Sequence, residues 1–411
     1  MTPLRSLALG TFLTLVPVTL LVPGLRELVM GAHGGTRLDA HLFMSVNMIA
    51  GMVAIPVVMR LLSRWPDVRT WLVGLLLADA CVFAAMAAAP SVSALLALRA
   101  VDGALHLPAV TLLMVAANRF AGRRRGATLG VIASALMLGV AAGAPLGGWL
   151  VDRDPSLVYR AGAALLVVAA LSCSLVVTVP AAPTDSGSSS RYRWDRRAVA
   201  GWIPLAYGFM DRFTIGVFVS TFTLYLAEVH GLGAAQRGLL MSLFLLPFAA
   251  LCYPAGRLAD RTGWFAPLLT GNLLFGVAYA SYGVAPLAAL PVLMVVSGIL
   301  AALMFAPNLV LVAEFARRGA GEGLFGAFQV AGSLGFLTGP IVGGVLVEVT
   351  RRHAGAVAYA PIFAGVGAVE IGLAVLSFVA LRDLARAWSA ATPANSIALG
   401  AGPALAGEGR P

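Results

Sequence analysis

A chain of 411 residues that is 60% hydrophobic and 11% charged, with a mean hydropathy of +0.91, is not a pair of soluble domains but a polytopic membrane protein. Its net charge of +10 rests on arginine alone, because all 28 basic residues are Arg and no lysine occurs. A Walker A ATPase and a lysine-imine catalyst are therefore excluded, since each chemistry needs its lysine, and energy has to come from a gradient or a separate subunit.

A membrane span takes about 20 apolar residues. Twelve such segments follow one another, near 6–25, 40–59, 71–90, 93–116, 127–150, 161–179, 200–225, 236–255, 264–284, 288–313, 323–347 and 356–381. The pattern predicts an all-α fold of twelve transmembrane helices: a six-helix bundle over 1–180, a cytoplasmic linker over 181–199, a second bundle over 200–382 and a disordered cytoplasmic tail over 383–411. With the N-terminus inside, 19 arginines fall on the cytoplasmic side and seven outside, leaving Arg99 and Arg212 within spans. That bias sets the orientation, with both termini in the cytoplasm. Met1 to Arg5 before an apolar run could open a signal peptide, but no small-residue cleavage site follows and the run reads as the first helix. Cys81, Cys173 and Cys252 stand singly in apolar segments, so neither a disulfide nor a metal site is expected.

In chain order, the first segment offers Thr11, Thr14 and Thr19, which either bond their own backbone or touch a substrate, and it ends at Arg26 and Glu27. The second carries Asn47 and Gly51, and the third Asp79. In the fourth, Arg99, Asp102 and His106 are spaced i, i+3, i+7 and share a stripe roughly 60° wide. A charge at the bilayer centre costs on the order of 3 kcal/mol, so three such residues on one face mark the inward face. The competing reading has Arg99 reaching to the outer surface with Asp102 neutralising it and His106 as a packing residue. Arg119 to Arg125 form a short basic loop, and Arg191 to Arg197 mix arginine with aromatics, which suits a headgroup layer better than nucleic acid. The seventh segment places Asp211 and Arg212 near the midplane, about 100° apart, so each is expected to find a partner on another helix. Asn308 lies in the tenth segment and Glu370 in the twelfth.

One stretch occurs twice. Gly130, Gly139, Gly143, Ala144, Gly147 and Gly148 recur after 196 residues as Gly326, Gly335, Gly339, Pro340, Gly343 and Gly344. Each glycine costs about 1 kcal/mol of helix propensity, which close helix contact would explain. Gly139, Gly143 and Gly147 share a face, as do Gly335, Gly339 and Gly343, and the expectation is that they let the two halves slide against each other. A second echo, shifted by 197, relates Arg60, Leu61 and Arg64 to Arg257, Leu258 and Arg261.

Twelve spans in two repeated halves resemble the major facilitator superfamily. The turn Gly256-x-x-x-Asp260-Arg261-x-Gly263 is similar to that family's cytoplasmic gate signature, Arg99-x-x-x-Gly103 to its helix 4 motif, and the fifth-segment glycines to the signature of its proton-coupled drug antiporter branch. The first-half gate departs at Met59, Ser63 and Pro66, and Ala144 stands where the family has proline. The glycine copy in the eleventh segment also allows packing alone as the reason for both. The resemblance implies a secondary transporter, with helices 1, 4, 7 and 10 around a central cavity between rocking halves. It makes Arg99, Asp102, His106, Asp211, Arg212 and Asn308 cavity candidates, Gly256, Asp260, Arg261 and Gly263 gate candidates, and Asp79 and Glu370 more peripheral. A buried aspartate beside an arginine is pulled in two directions, so Asp102 and Asp211 are the proton-carrier candidates. Export of a small amphipathic or hydrophobic compound against a proton gradient is expected, with uptake of an organic anion as the alternative. A sensor or a membrane-embedded enzyme built on the same fold is the remote alternative; no HExxH, metal-ligand spacing or nucleophile motif supports the enzyme. Neither cofactor, metal nor nucleic acid is expected, and the partners are a small-molecule substrate and the lipid bilayer, in the inner cell membrane, as a monomer.

Overall fold

The computed structural model describes residues 3–65, 67–120, 125–175, 201–315, 323–354 and 359–390. Each apolar segment becomes a helix, and no strand occurs among the described residues. The first half contains α1 (Pro3–Leu20), α2 (Arg37–Arg64), α3 (Val68–Met86), α4 (Val92–Phe120), α5 (Arg125–Val151) and α6 (Pro155–Ser174). The second contains α7 (Trp202–Val217), α8 (Ala234–Thr262), α9 (Phe265–Ser281), α10 (Leu290–Phe315), α11 (Gly323–Ala354) and α12 (Ala360–Ala390). The rod of α7 continues through a π-helical turn at Phe218–Phe222 into a last helical piece, Thr223–Glu228. Nine of these helices are long and apolar enough to cross a membrane, while α1 and α9 are shorter apolar helices.

Helix starts carry caps that the sequence encodes. Thr36 and Asp39 form a capping box on α2, Asp67 accepts the Arg69 and Thr70 amides of α3, and Asp154 accepts the Ser156 amide of α6. Outward-facing positions such as Val53, Tyr253, Val292 and Leu376 are exposed and apolar, as a face against lipid tails requires.

The two halves repeat one packing scheme. In the first, α1 lies on α5, α2 on α4 and α3 on α6; in the second, α7 lies on α11, α8 on α10 and α9 on α12. The halves meet where α5 packs on α8 and α11 on α2.

This scheme corrects the expected role of the repeated glycines. A Cβ built on Gly139, Gly143 or Gly147 would run into Phe12 O, Val16 O or Leu20 O of α1. On Gly335, Gly339 or Gly343 it would meet Phe209 O, Phe213 O or Thr221 Oγ1 of the α7 rod. These six glycines therefore seat helices within each half rather than forming a sliding surface between halves, although a Cβ on Gly343 would also lie 3.7 Å from the His41 ring of the other half. The spacing by four announced a close contact but not its partner. Contact between halves falls to Gly148 against the Ala234 carbonyl, Gly238 against the Ala144 carbonyl and Gly344 against the His41 ring. Filling the α1–α5 contact should therefore damage the first half itself: Gly147→Leu is expected to cost about 3 kcal/mol or more by overpacking, read as a lower melting temperature and loss of monodisperse protein on size exclusion. Substitution of the open Gly74, which has nothing within 4 Å, should leave both unchanged.

Two boundaries differ from expectation. The first helix ends at Leu20, and the chain then turns into a π-helical piece, Arg26–Gly31, so Glu27 lies in a built connection. The last helix runs to Ala390, so residues 383–390 are helical and not part of a disordered tail. The linker at 181–199, residues 121–124 of the basic loop and the chain beyond 390 lie outside the described residues, while Arg119 and Arg125 belong to the ends of α4 and α5.

Candidate functional site

Between the halves lies a cavity of about 400 Å³, within the roughly 300–1,000 Å³ of small-molecule sites. Its wall is mostly apolar and aromatic, including Met44, Phe83, Phe218, Phe244, Phe248 and Phe336. Polar atoms enter from Thr19, Asn47, Arg99, Asp102, His106, Arg212 and Gln329.

The polar corner is built on one glycine. A Cβ at Gly103 would collide with the Asn47 carbonyl, so only glycine lets α4 press against α2. That approach brings the Asn47 amide to within 2.5 Å of Asp102 Oδ2, which also accepts from Arg99 Nη1 at 2.5 Å. Arg99 is 4% exposed, donates through Nε to Phe43 O at 3.4 Å and lies 4.9 Å from the centre of the Phe43 ring. A buried guanidinium with a carboxylate, a carbonyl and a ring face is compensated on each side. Arg99 therefore does not reach out to the surface.

One helical turn on, His106 Nδ1 bonds Asp79 Oδ2 on α3 at 2.8 Å. Asp79 is fully buried and is the partner that sequence reasoning ranked as peripheral. Asp79, Asp102 and His106 each offer one ligand atom within 4.8 Å of the others, the one such trio among the described residues. The sequence scan missed this cluster because its members come from two helices with no motif spacing between them. Asn47 was named but left without a role; Gly51, which backs onto the Gly103 carbonyl and Leu107, was the signal that α2 and α4 touch there. A metal ion at this trio would have to compete with Arg99 for Asp102.

The second-half candidates divide. Arg212 lines the cavity, is 39% exposed at its side chain and stands 5.2 Å from the Phe305 ring centre. Asp211 and Asn308 do not line it; they face a separate small recess with Tyr207 and Asn272. Asp211 Oδ2 lies 3.4 Å from Arg212 Nε, so the adjacent pair meets itself, contrary to the expectation of partners on other helices. The long Arg212 side chain can fold back across the angle between neighbouring Cα–Cβ directions. Asn308 donates to the Pro204 carbonyl at 3.4 Å, and Glu370 accepts from Thr214 at 2.7 Å. Of the threonines, Thr11 and Thr14 bond their own helix backbone, whereas Thr19 crosses to Val140 O on α5 at 2.6 Å and borders the cavity.

The described ion pairs and hydrogen bonds between halves gather toward one end, the one bearing the α1–α2, α5–α6 and α7–α8 connections. There Arg237 Nη2 meets Glu27 at 2.5 Å, Arg37 meets Glu228 at 2.7 Å, and Ser45 reaches the Leu337 carbonyl at 3.2 Å. Asp152 accepts the Ala234 and Ala235 amides at 2.7 and 2.9 Å. Because the residue before α8 is Gly233, the N-cap brings no side chain; Gln236 of the same helix accepts the Gly233 amide at 3.1 Å, and Asp152 of the other half accepts the next two. At the opposite end, Asp260 and Arg261 are exposed at the close of α8, and Gly263 turns the chain with φ +85°. That conformation favours glycine, which accounts for the last position of the motif.

The sequence profile of the Major Facilitator Superfamily matches this chain twice, over residues 7–210 and 205–406. The chain belongs to the Major Facilitator Superfamily. Solved structures agree on the fold. A mutant of the nucleoside transporter NupG superposes with a TM-score of 0.71 at 17% identity, over 92% of this chain and 100% of that one. A bacterial homolog of the human lysosomal transporter Spinster, in an inward-facing, unoccupied conformation, gives 0.75 at 13% identity, over 92% and 96%. The human organic anion transporter MFSD10 gives 0.60 at 18%, over 90% and 98%. No curated protein sequence matches. As a member of the superfamily the chain is a multi-pass membrane transporter of the secondary type and not an enzyme, and none of these matches singles out the drug antiporter branch.

Proposed function

We propose that this transporter exports a small amphipathic or hydrophobic compound against proton influx, by alternating access of one central cavity. It works as a monomer in the inner cell membrane with both termini cytoplasmic, and the proton gradient takes the place of any cofactor. The observation that supports this reading is the join of an apolar, aromatic cavity to the Asn47–Asp102–Arg99 corner. An apolar wall receives a hydrophobic body, while the corner holds the proposed proton carrier, Asp102, against its counter-charge Arg99. Protonation of Asp102 weakens its hold on Arg99, and the rearrangement of that pair is the step through which proton and substrate exclude each other. With the arginine bias inside, the bonded end is external and the exposed gate motif Gly256, Asp260, Arg261 and Gly263 is cytoplasmic, so this conformation is inward-facing. The names of similar transporters differ in their cargo, and none of them carries over.

Flux in proteoliposomes under an imposed pH gradient tests this, with a panel of hydrophobic fluorescent amines as probes. Asp102→Asn, carried in an Arg99→Gln background so that no bare cation is stranded, and Asp211→Asn should between them abolish gradient-driven flux. Full retention by both removes the proton role. The second reading, uptake of an organic anion with protons, has its own support in the half-exposed Arg212, held by Asp211 only at 3.4 Å. Proton uptake triggered by aromatic carboxylates and not by amines would favour it.

A further inference from the structure

The second half holds two buried acids that the cavity does not explain. Glu370 on α12 is fully buried; Thr214 donates to its Oε1, and its Oε2 has no partner among the described residues. Asp211 stands three residues before Thr214, on the same face of α7, and is 6% exposed. Glu370 reaches that same face of α7 through Thr214. Asp211 Oδ2 makes no hydrogen bond and has only the loose contact with Arg212. The other ionisable groups around the pair are Tyr207 on α7, Cys252 on α8 and Tyr279 on α9, and the polar group facing from α10 is the neutral Asn308. Among the described residues the cation recorded against this pair of acids is Arg212, and it meets Asp211 and not Glu370.

Beside Asp211 lies the recess of about 10 Å³, which is the size of a single water site of roughly 10–15 Å³. It is lined by Tyr207, Asp211, Asn272 and Asn308. Asn308, 97% buried by its 3% exposure, presents an unpartnered Oδ1. Asp211 Oδ2 and Asn308 Oδ1 are both acceptors, and one water has two hydrogens to give them. The recess therefore has room, at the lower limit, for the one water through which a buried carboxylate could gain or lose a proton.

We propose that Asp211 and Glu370 form a proton site of the second half, distinct from Asp102: one proton rests on Glu370, and a second is taken up on Asp211 when Arg212 turns to an anionic group in the cavity. The charges balance at each stage. At rest Arg212 offsets Asp211, and Glu370 is neutral. When a carboxylate or similar anion draws Arg212 away, a new O–H bond forms at Asp211 Oδ2, the proton coming through the recess water, and the anion offsets Arg212. Nothing else in the site changes charge. This inference deepens the anion reading of the cavity and rests on the chain being a transporter, but its test needs neither substrate nor gradient.

The test is infrared spectroscopy of the purified protein at about pH 7, where ordinary aspartate and glutamate are ionised. The readout is the carbonyl stretch of protonated carboxyl groups, identified by its shift in D2O. Wild type should show a band that Glu370→Gln removes and that Thr214→Val moves in frequency, since Thr214 donates to that carboxyl. Arg212→Gln imitates withdrawal of the guanidinium and should add one further carboxyl equivalent. That added band should vanish in the Arg212→Gln, Asp211→Asn double variant. A wild-type spectrum with no band sensitive to Glu370→Gln or Thr214→Val overturns the resting proton. An Arg212→Gln spectrum without the added band overturns the second. Arg212→Met serves the same purpose if the glutamine variant does not fold. Retained gradient-driven flux in the Asp102 variants with these bands intact, or lost flux with the bands absent, separates failure of one proposal from failure of the other.

Discussion

Asp102→Asn should lower the melting temperature of the purified transporter sharply, and Arg99→Gln in the same chain should restore most of the loss. Arg99 is 4% exposed and, among the described residues, has one carboxylate partner, Asp102, at 2.5 Å. Removing the negative member of a buried pair strands the positive one and costs about 3–5 kcal/mol. Removing both leaves polar but neutral side chains, with Asn47 still able to bond its neighbour across the α2–α4 contact. A thermal melt followed by tryptophan fluorescence distinguishes the outcomes: equal melting of the single and double variants would show that the pair carries no net burial cost. For transport the double variant is the informative one, because the defect of the single variant has two sources, loss of the proposed proton carrier and a displaced Arg99.

The second large effect is expected at the bonded end. Arg237 is fully buried, and its only ion-pair partner among the described residues is Glu27, from the other half. Glu27→Gln leaves that charge bare only while the halves are closed at this end, so the cost of about 3–5 kcal/mol falls on one conformation. Since each 1.4 kcal/mol or so is tenfold in an equilibrium, the closed state should lose ground by more than about 100-fold. The measurement is the labelling rate of a single cysteine introduced at Val22, on the cavity wall near this end, by a membrane-impermeant maleimide. The native Cys81, Cys173 and Cys252 have to be replaced first. Labelling that stays at the wild-type rate would mean that Arg237 and Glu27 do not hold the end shut. Arg237→Gln in addition should bring the rate back toward wild type.

The positions of the helices were legible in the chain because twelve apolar runs separated by polar connections admit few other readings in lipid. The stripe of Arg99, Asp102 and His106 was legible for the same reason: charges at helical spacing inside a span have to face something polar. What lay across from them was not. Asp79 reads as a lone aspartate until α3 is set beside α4, and only then does it become the partner of His106. The glycine rows show the limit in another form. Their spacing fixed which face makes contact, but α1 and the opposite half are equally plausible neighbours for a small-residue face, and the packing chose α1. Asp211 and Arg212 failed for a local reason, since the angle between neighbouring side chains on a helix does not bind a side chain as long as arginine's.

The borrowed cap on α8 bears on how far each half is a unit in its own right. The repeat in the sequence suggests two modules that could each fold and be joined by a tether. Yet α8 receives the acceptors for its first amides from Asp152, and the charge of Arg237 is answered by Glu27, both from the other module. A second half made alone would begin α8 with unanswered amides and a bare cation at the membrane boundary. The duplication is thus one of architecture and not of autonomy: the halves depend on each other at the surface where they must also part.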